Sequence, residues 1–374
     1  MHVGLNLVFL LPGESGGMEI AARALIPALR AAAPQHRFTA FVNREAAGED
    51  LGTEQVVVPV RASSRLEWVR GEQLLIPRLA ARAGCDLVHS LGSTAPARGP
   101  FARVVTIHDL NYRKVPEAHF GLRGLGMRVL VPLAARSAHR VLADSSSTRD
   151  DLLADLGVPP GKVEVVPLGL GQPATAAPAL EAELRTRLDL GDRPVVLSLS
   201  AKRPHKNLGG LLAALALIPA DRRPVAVLPG YPTPYEAELR ERASALGVAG
   251  DVRWLGWTPE RDVEGLFALA GCFVYPSFYE GFGLPVLEAM ARGVPVACSD
   301  RASLPEVAGD AARLFDPDEP RQIAAAIEAL LGDREEAQRL SAAGRARSAR
   351  FTWEASARAT LRAYERTLAP AASG

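Results

Sequence analysis

Glu280 and Glu288 bracket seven residues within the run Ser277-Phe-Tyr-Glu-Gly-Phe-Gly-Leu-Pro-Val-Leu-Glu-Ala-Met-Ala-Arg-Gly293. Cys272–Pro276 reads as a short buried strand, and Tyr279–Leu284 as a glycine-broken turn. Pro285 suits the first position of a helix, where a missing N–H costs nothing. Gly293 suits the position just past the helix end. The run therefore presents a helix N-terminus, preceded by glycines, at the carboxyl end of a strand. Open α/β sheets bind phosphorylated ligands there. Glu280 then lies in the loop over the ligand, and Glu288 about one turn into the helix. The two carboxylates alone would suit a solvated loop acid and a residue that favours a helix N-terminus equally well. The whole Glu-Gly-Phe-Gly-Leu-Pro string favours binding.

Other candidates follow the same logic. Ser198-Leu-Ser-Ala-Lys-Arg-Pro-His-Lys-Asn-Leu208 follows a strand and enters a helix, which puts Lys202, Arg203 and Lys206 at a strand's carboxyl end. Gly16-Gly17 follows the first strand, and glycines there let backbone amides approach a phosphate. Thr106-Ile-His-Asp-Leu110 ends another strand, with Asp109 able to hold the His108 imidazole. Asp144-Ser-Ser-Ser-Thr148 starts a helix, so its hydroxyls serve first as caps and second as lining of the site. Trp257 is either a stacking surface or a core aromatic. Asp316-Pro-Asp318 matches an Asp-x-Asp metal motif but reads as turn and capping chemistry.

The segment from Glu280 to Glu288 resembles the Glu-x7-Glu signature of retaining nucleotide-sugar glycosyltransferases, in particular glycosyltransferase family 4. The resemblance covers nearly the whole chain, and everything in this paragraph is what it implies. Glu280 approaches the donor sugar and Glu288 the ribose, while Phe282, Gly283 and Leu284 form a backbone cradle. Lys206 holds the diphosphate. The family's upstream Arg, which follows a Gly, is missing: Ser200-Ala201 stands there, and Arg203 or Lys202 replaces it. Gly16 and Gly17 cover the diphosphate, and His108 lies near the reacting centre. The fold is α/β, the GT-B architecture of two doubly wound Rossmann-like domains facing a cleft, with a C-terminal helix crossing back to the first. The activity is metal-independent transfer of a hexosyl group with retention, from a nucleotide sugar (GDP-mannose as first guess) to a saccharide, lipid-linked or small-molecule acceptor. No cofactor is implied. Rival readings are a nucleotide-sugar epimerase of the same fold and a non-catalytic glycosyltransferase-like subunit. A glycogen-type phosphorylase would need a pyridoxal lysine and a much longer chain.

The elements that must position these residues alternate between strand and helix from end to end, which argues for parallel α/β domains. The first series has strands at Val3–Leu10, Phe38–Val42, Val56–Val60, Leu87–His89, Val104–His108 and Arg140–Ala143. Its helices fall near Met18–Arg30, Leu66–Ala83, Arg123–Ser137 and Ser147–Leu156. Leu168–Ala179, rich in Gly, Ala and Pro, reads as a linker. The second series has strands at Pro194–Leu199, Val225–Leu228, Val252–Leu255, Cys272–Tyr275 and Pro295–Ala297. Arg321–Leu368 is mostly helical. The expected units are an acceptor domain at 1–170, a donor domain at 175–352 and a returning helix at 353–374.

Composition sets the outer bounds. A chain of 374 residues is too long for one ordinary core. A net charge of +1 argues against a general nucleic-acid binder. Between Arg61 and Arg140, thirteen Lys or Arg face five Asp or Glu. That excess suits either solvated helix faces or attraction to an anionic acceptor or lipid surface. Cys85, Cys272 and Cys298 read as buried thiols of a reducing compartment. No signal peptide or membrane span is evident. The expected location is cytoplasmic, with peripheral membrane contact through the basic first domain left open.

Overall fold

The computed structural model describes residues 1–115, 122–171 and 177–369. Two compact units result: Met1–Gly171 with Phe351–Gly374, and Gln172–Arg350. The boundary expected at Thr175 and the centre of the expected linker lie outside the described residues, as do positions 370–374 of the expected last segment.

The first unit is built on seven parallel strands: β1 (His2–Leu7), β2 (Arg37–Val42), β3 (Glu54–Val57), β4 (Leu87–Ser90), β5 (Ala102–Ile107), β6 (Arg140–Ala143) and β7 (Val163–Val165). They lie in the order β3-β2-β1-β4-β5-β6-β7. Helices cover both faces of such a sheet, so its strands are continuous apolar runs; Val3, Leu5 and Leu7 of β1 are fully buried. The third strand ends earlier than expected, because Val58 and Val60 belong to the connection after it. The helix expected over Leu66–Ala83 is broken at Gly71–Leu75 by a single π turn. Gly71 fits there because a Cβ would meet the Val60 side chain at 2.8 Å. Helix Gly17–Ala32 buries Ala21, Ala22, Leu25, Ile26 and Leu29, one helical stripe.

The last helix, Trp353–Leu368, packs on the helix Gly17–Ala32 within this first unit. Its Tyr364 hydroxyl meets His89 Nδ1 at 2.6 Å, and His89 Nε2 meets Thr106 Oγ1 at 2.8 Å. Burial pushes the His89 pKa down to about 3 and keeps the ring neutral.

The second unit has six parallel strands: β8 (Val195–Leu197), β9 (Val225–Leu228), β10 (Val252–Trp254), β11 (Cys272–Tyr275), β12 (Val296–Ser299) and β13 (Arg313–Phe315). They lie in the order β10-β9-β8-β11-β12-β13. In each sheet the direction of winding reverses once, between β1 and β4 and between β8 and β11. Loops at the carboxyl ends of those strand pairs form the crevice where doubly wound sheets bind ligands. Cys85, Cys272 and Cys298 are buried free thiols. Among the described residues, no helix is long and apolar enough to cross a membrane.

Candidate active site

In the second unit the loops after β8 and β11 meet at the reversal point. Lys206 closes a 3-10 turn, Pro204–Lys206. Its Nζ lies 2.6 Å from Glu280 Oε1 and 3.1 Å from the Tyr275 hydroxyl. It also stands 5.5 Å above the Tyr275 ring. Both ends of the ion pair are largely shielded, at 15% and 11% side-chain exposure. Burial alone would raise the Glu280 pKa; Lys206, His205 and Ser277 outweigh it and hold the carboxyl below the usual range. Two further contacts fix the loops. The Phe278 N–H and the Ser277 hydroxyl donate to the His205 carbonyl at 2.8 and 3.0 Å. The buried Ser303 hydroxyl reaches the carbonyls of Glu280 and Phe282 at 2.9 and 2.7 Å.

The turn then enters the helix Leu284–Ala291, capped by Gly283 without any side-chain cap. Leu284, one place before Pro285, is its first residue. Phe282 is buried beneath the turn. Gly283 has φ 110°, and a Cβ there would come within 2.7 Å of Leu304 Cδ2. Gly283→Ala is therefore expected to destabilise the protein by about 1–3 kcal/mol, read as a lower melting temperature. Gly293 follows the helix in the left-handed region, φ 72°. Its N–H bonds Met290 and the Val294 N–H bonds Ala289, closing the helix end. Glu288 sits in the second turn, half-buried, and its carboxylate accepts no hydrogen bond from the described residues. Burial raises its pKa against the opposing pull of Arg292.

Arg203 is half-buried at the entry to the 3-10 turn. Lys202 does not replace the missing diphosphate arginine. It is fully buried, and its ammonium donates to the carbonyls of Gly230, at 2.7 Å, and Leu255. It thus ties together the loops after β8, β9 and β10, and burial lowers its pKa to about 8. Trp257 is no core aromatic, since it is 77% exposed in the loop after β10. Asp316 accepts the Asp318 N–H at 3.0 Å and pairs with Arg301 at 2.7 Å, which is turn chemistry.

In the first unit, His108 stands just beyond β5. Its Nδ1 lies 2.7 Å from Asp144 Oδ2 and its Nε2 2.8 Å from the Leu91 carbonyl. Asp109 does not hold the ring; its carboxylate accepts from the backbone and side chain of Asn111. The reason is strand geometry: Asp144 follows β6, the neighbour of β5, and so lies beside His108. Burial would lower the His108 pKa, but Asp144, the Leu91 carbonyl and Asp109 together raise it to about 9. The ring is an imidazolium at neutral pH, with both N–H groups committed. Ser145 caps the next helix by accepting from the Thr148 N–H at 3.1 Å. Gly16 caps the helix Gly17–Ala32 with φ 57°, and no atom lies within 4 Å of where a Cβ on Gly16 or Gly17 would stand. Glu19 braces this loop by accepting the Gly13 N–H at 2.9 Å.

Sequence reasoning missed Asp144 as the partner of His108, Tyr275 as the partner of Lys206, and Ser303 as the clamp on the turn. Each lies at or just past the carboxyl end of a neighbouring strand, a signal that strand order would have supplied.

Comparisons with known proteins place the chain in a family and match its fold. The family model described as Glycosyltransferase Family 4 matches residues 15–170, and that described as Glycosyl transferases group 1 matches 181–347. The chain is 34% identical over 310 residues to an O-antigen chain mannosyltransferase B of Escherichia coli, covering 79% of this chain and 80% of that one. It is 32% identical over 250 residues to a GDP-mannose-dependent alpha-(1-6)-phosphatidylinositol monomannoside mannosyltransferase of Mycobacterium tuberculosis, covering 64% and 62%. The crystal structure of Anabaena HepE with UDP and glucose superposes with a TM-score of 0.76 at 22% identity, over 98% of this chain and 100% of that one, a likeness of fold.

Proposed function

Since this chain belongs to the glycosyltransferases of group 1 and family 4, we propose that it moves a mannosyl group from GDP-mannose to a saccharide, lipid-linked or small-molecule acceptor, with retention and without a divalent metal. The carrying observation is the Lys206–Glu280 pair, pinned at the reversal point of the second sheet.

Breaking the bond from C1 to a diphosphate builds positive charge at the anomeric carbon and negative charge on the leaving group. Lys206 supplies an ammonium for the diphosphate, with Arg203 as a second cation. The uncapped helix start at Phe282, Gly283 and Leu284 supplies amides. Glu280, kept ionised, holds the sugar hydroxyls, and Glu288 accepts from the ribose. His108 acts as a fixed cation near the reacting centre, since its two N–H groups are spent and it offers no base. Gly16 and Gly17 offer backbone N–H groups to the diphosphate. The acceptor attacks the face from which the phosphate departs, and a phosphate oxygen takes its proton. Mannose and its GDP carrier are favoured because the relatives' names carry them; the UDP of HepE makes uridine nucleotides the natural contrast.

A thermal-shift comparison of GDP-mannose, UDP-glucose and other nucleotide sugars tests the donor. A bound donor at 100 times its Kd stabilises by about 2.7 kcal/mol, so GDP-mannose is expected to give the largest shift. Transfer is expected to persist in excess EDTA. Activity that disappears on chelation and returns with magnesium or manganese removes the metal-free reading. Donor conversion without any acceptor would favour the epimerase, and donor binding without transfer the non-catalytic subunit.

A further inference from the structure

Glu72 is a carboxylate buried to 2% exposure in the first unit, and none of its hydrogen-bond partners is a cation. Its Oε1 accepts from Asn6 Nδ2 at 3.1 Å and from Thr94 Oγ1 at 2.9 Å; its Oε2 accepts from Gln73 Nε2 at 3.3 Å. Burial raises its pKa to about 7 despite these three donors. Removing an unpaired carboxylate from water is costly, so an apolar residue would serve packing better. Two other unusual features surround it. Glu72 sits in the single π turn Gly71–Leu75, and such turns gather at functional sites. Ser93, one residue before Thr94, holds a left-handed φ of 63°, a strained value for a residue with a Cβ.

The partners lead to one place. Asn6 is the last residue but one of β1, and Thr94 lies in the loop after β4, so the carboxylate bridges the reversal point of the first sheet. Gln73 holds the same loop further on, donating to the Ala95 carbonyl at 2.9 Å and accepting the Ala97 N–H at 3.0 Å. The near end of that loop grips His108. The Leu91 carbonyl accepts from Nε2, and Ser93 Oγ accepts the His108 N–H at 3.2 Å.

We propose that Glu72 is a positioning residue for sugar transfer: by anchoring the loop Leu91–Ala97 through Thr94 and Asn6, it holds the Leu91 carbonyl and Ser93 hydroxyl that fix His108. This rests on the reading of His108 given above. The strained Ser93 stays in place because its flanks are tied down, at Leu91 by the Asn6 carbonyl and at Thr94 by Glu72. Loss of the anchor lets the loop relax and the imidazolium shift.

The test compares Glu72→Ala, Glu72→Gln and Thr94→Val with His108→Ala in the full chain, measuring kcat, GDP affinity and the His108 imidazole NMR signals. A displacement of about 1 Å in a catalytic group costs on the order of 100-fold. Glu72→Ala is expected to lose about that much kcat, and Thr94→Val, which removes one anchor at constant shape, about 10-fold. GDP affinity is expected to stay unchanged, since Glu72 bonds Asn6, Thr94 and Gln73 and none of the residues assigned to the nucleotide, while the His108 signals move. Glu72→Gln keeps the doubly used acceptor and is expected to retain most of the rate. Thr94→Val carries the test if Glu72→Ala does not fold. Wild-type kcat in Thr94→Val overturns the positioning role. So does a slow Glu72→Ala with unchanged His108 signals, or a fall in GDP affinity parallel to kcat. Wild-type kcat in His108→Ala overturns the reading of His108 instead.

Discussion

Lys206→Ala is expected to lower sugar transfer at least ~100-fold, the scale of losing one preorganised electrostatic contact to a developing charge. The same change strands Glu280. That carboxylate is shielded, and Lys206 is the chief influence opposing burial. Without the ammonium its pKa climbs, and the stranded acid costs about 3–5 kcal/mol, as when one partner of a buried pair is removed. Lost activity could then be mistaken for lost folding. The double variant Lys206→Met with Glu280→Gln separates the two. It removes both charges, so its melting temperature is expected to recover toward wild type while transfer stays at the level of the worse single variant. Near-normal turnover in folded Lys206→Ala or Glu280→Ala would remove these residues from the donor site.

Asp144→Asn is expected to have the second largest effect. The native His108–Asp144 pair keeps its proton to about pH 9. A free histidine loses its proton near pH ~6.5, so the folded pKa lies above the unfolded one. The pair's stabilisation is full below about pH 6.5, down to where Asp144, whose carboxyl burial pushes above its ordinary range, takes up a proton, and it disappears as the pH rises through about 9. In Asp144→Asn the carboxylate is gone and burial drives the ring neutral. Transfer at pH ~7.5 is expected to fall by ~10–100-fold, and the decline of melting temperature between those pH values to flatten. Thermal melts across pH, with NMR titration of the ring, measure both. A variant whose melting curve keeps the wild-type pH dependence would show that some other group carries the proton.

Much of the candidate site was legible because its parts are local. Glu280, Gly283 and Glu288 share one strand-turn-helix, and the turn residues report their own backbone needs. Lys206 was legible for the same reason, since it follows a strand and precedes a helix. What depended on strand order was not legible. Asp109, adjacent in sequence, looked like the partner of His108, whereas Asp144 is adjacent in space because β5 and β6 pair. Lys202 looked like a phosphate ligand because nothing local reveals that two carbonyls from other loops consume its ammonium. The strands β7 and β13 escaped notice: each has three residues, too few for a period, although β10, equally short and also at an edge, was read. The π turn escaped because Leu66–Ala83 keeps a helical pattern across it.

The chain leaves the first unit once and re-enters it once, and the two crossing points touch: the Leu170 N–H donates to the Phe351 carbonyl at 2.9 Å. Topologically, the second unit is a cassette spliced into its host. Expressed alone, it should fold as an uninterrupted segment, whereas the host half cannot be obtained by cutting at residue 171. Such a truncation would discard Trp353 and Tyr364 and bare the apolar stripe of the helix Gly17–Ala32. Chimaeras that exchange donor preference are therefore best joined at both crossings, with the final helix always taken from the parent that supplies the amino terminus.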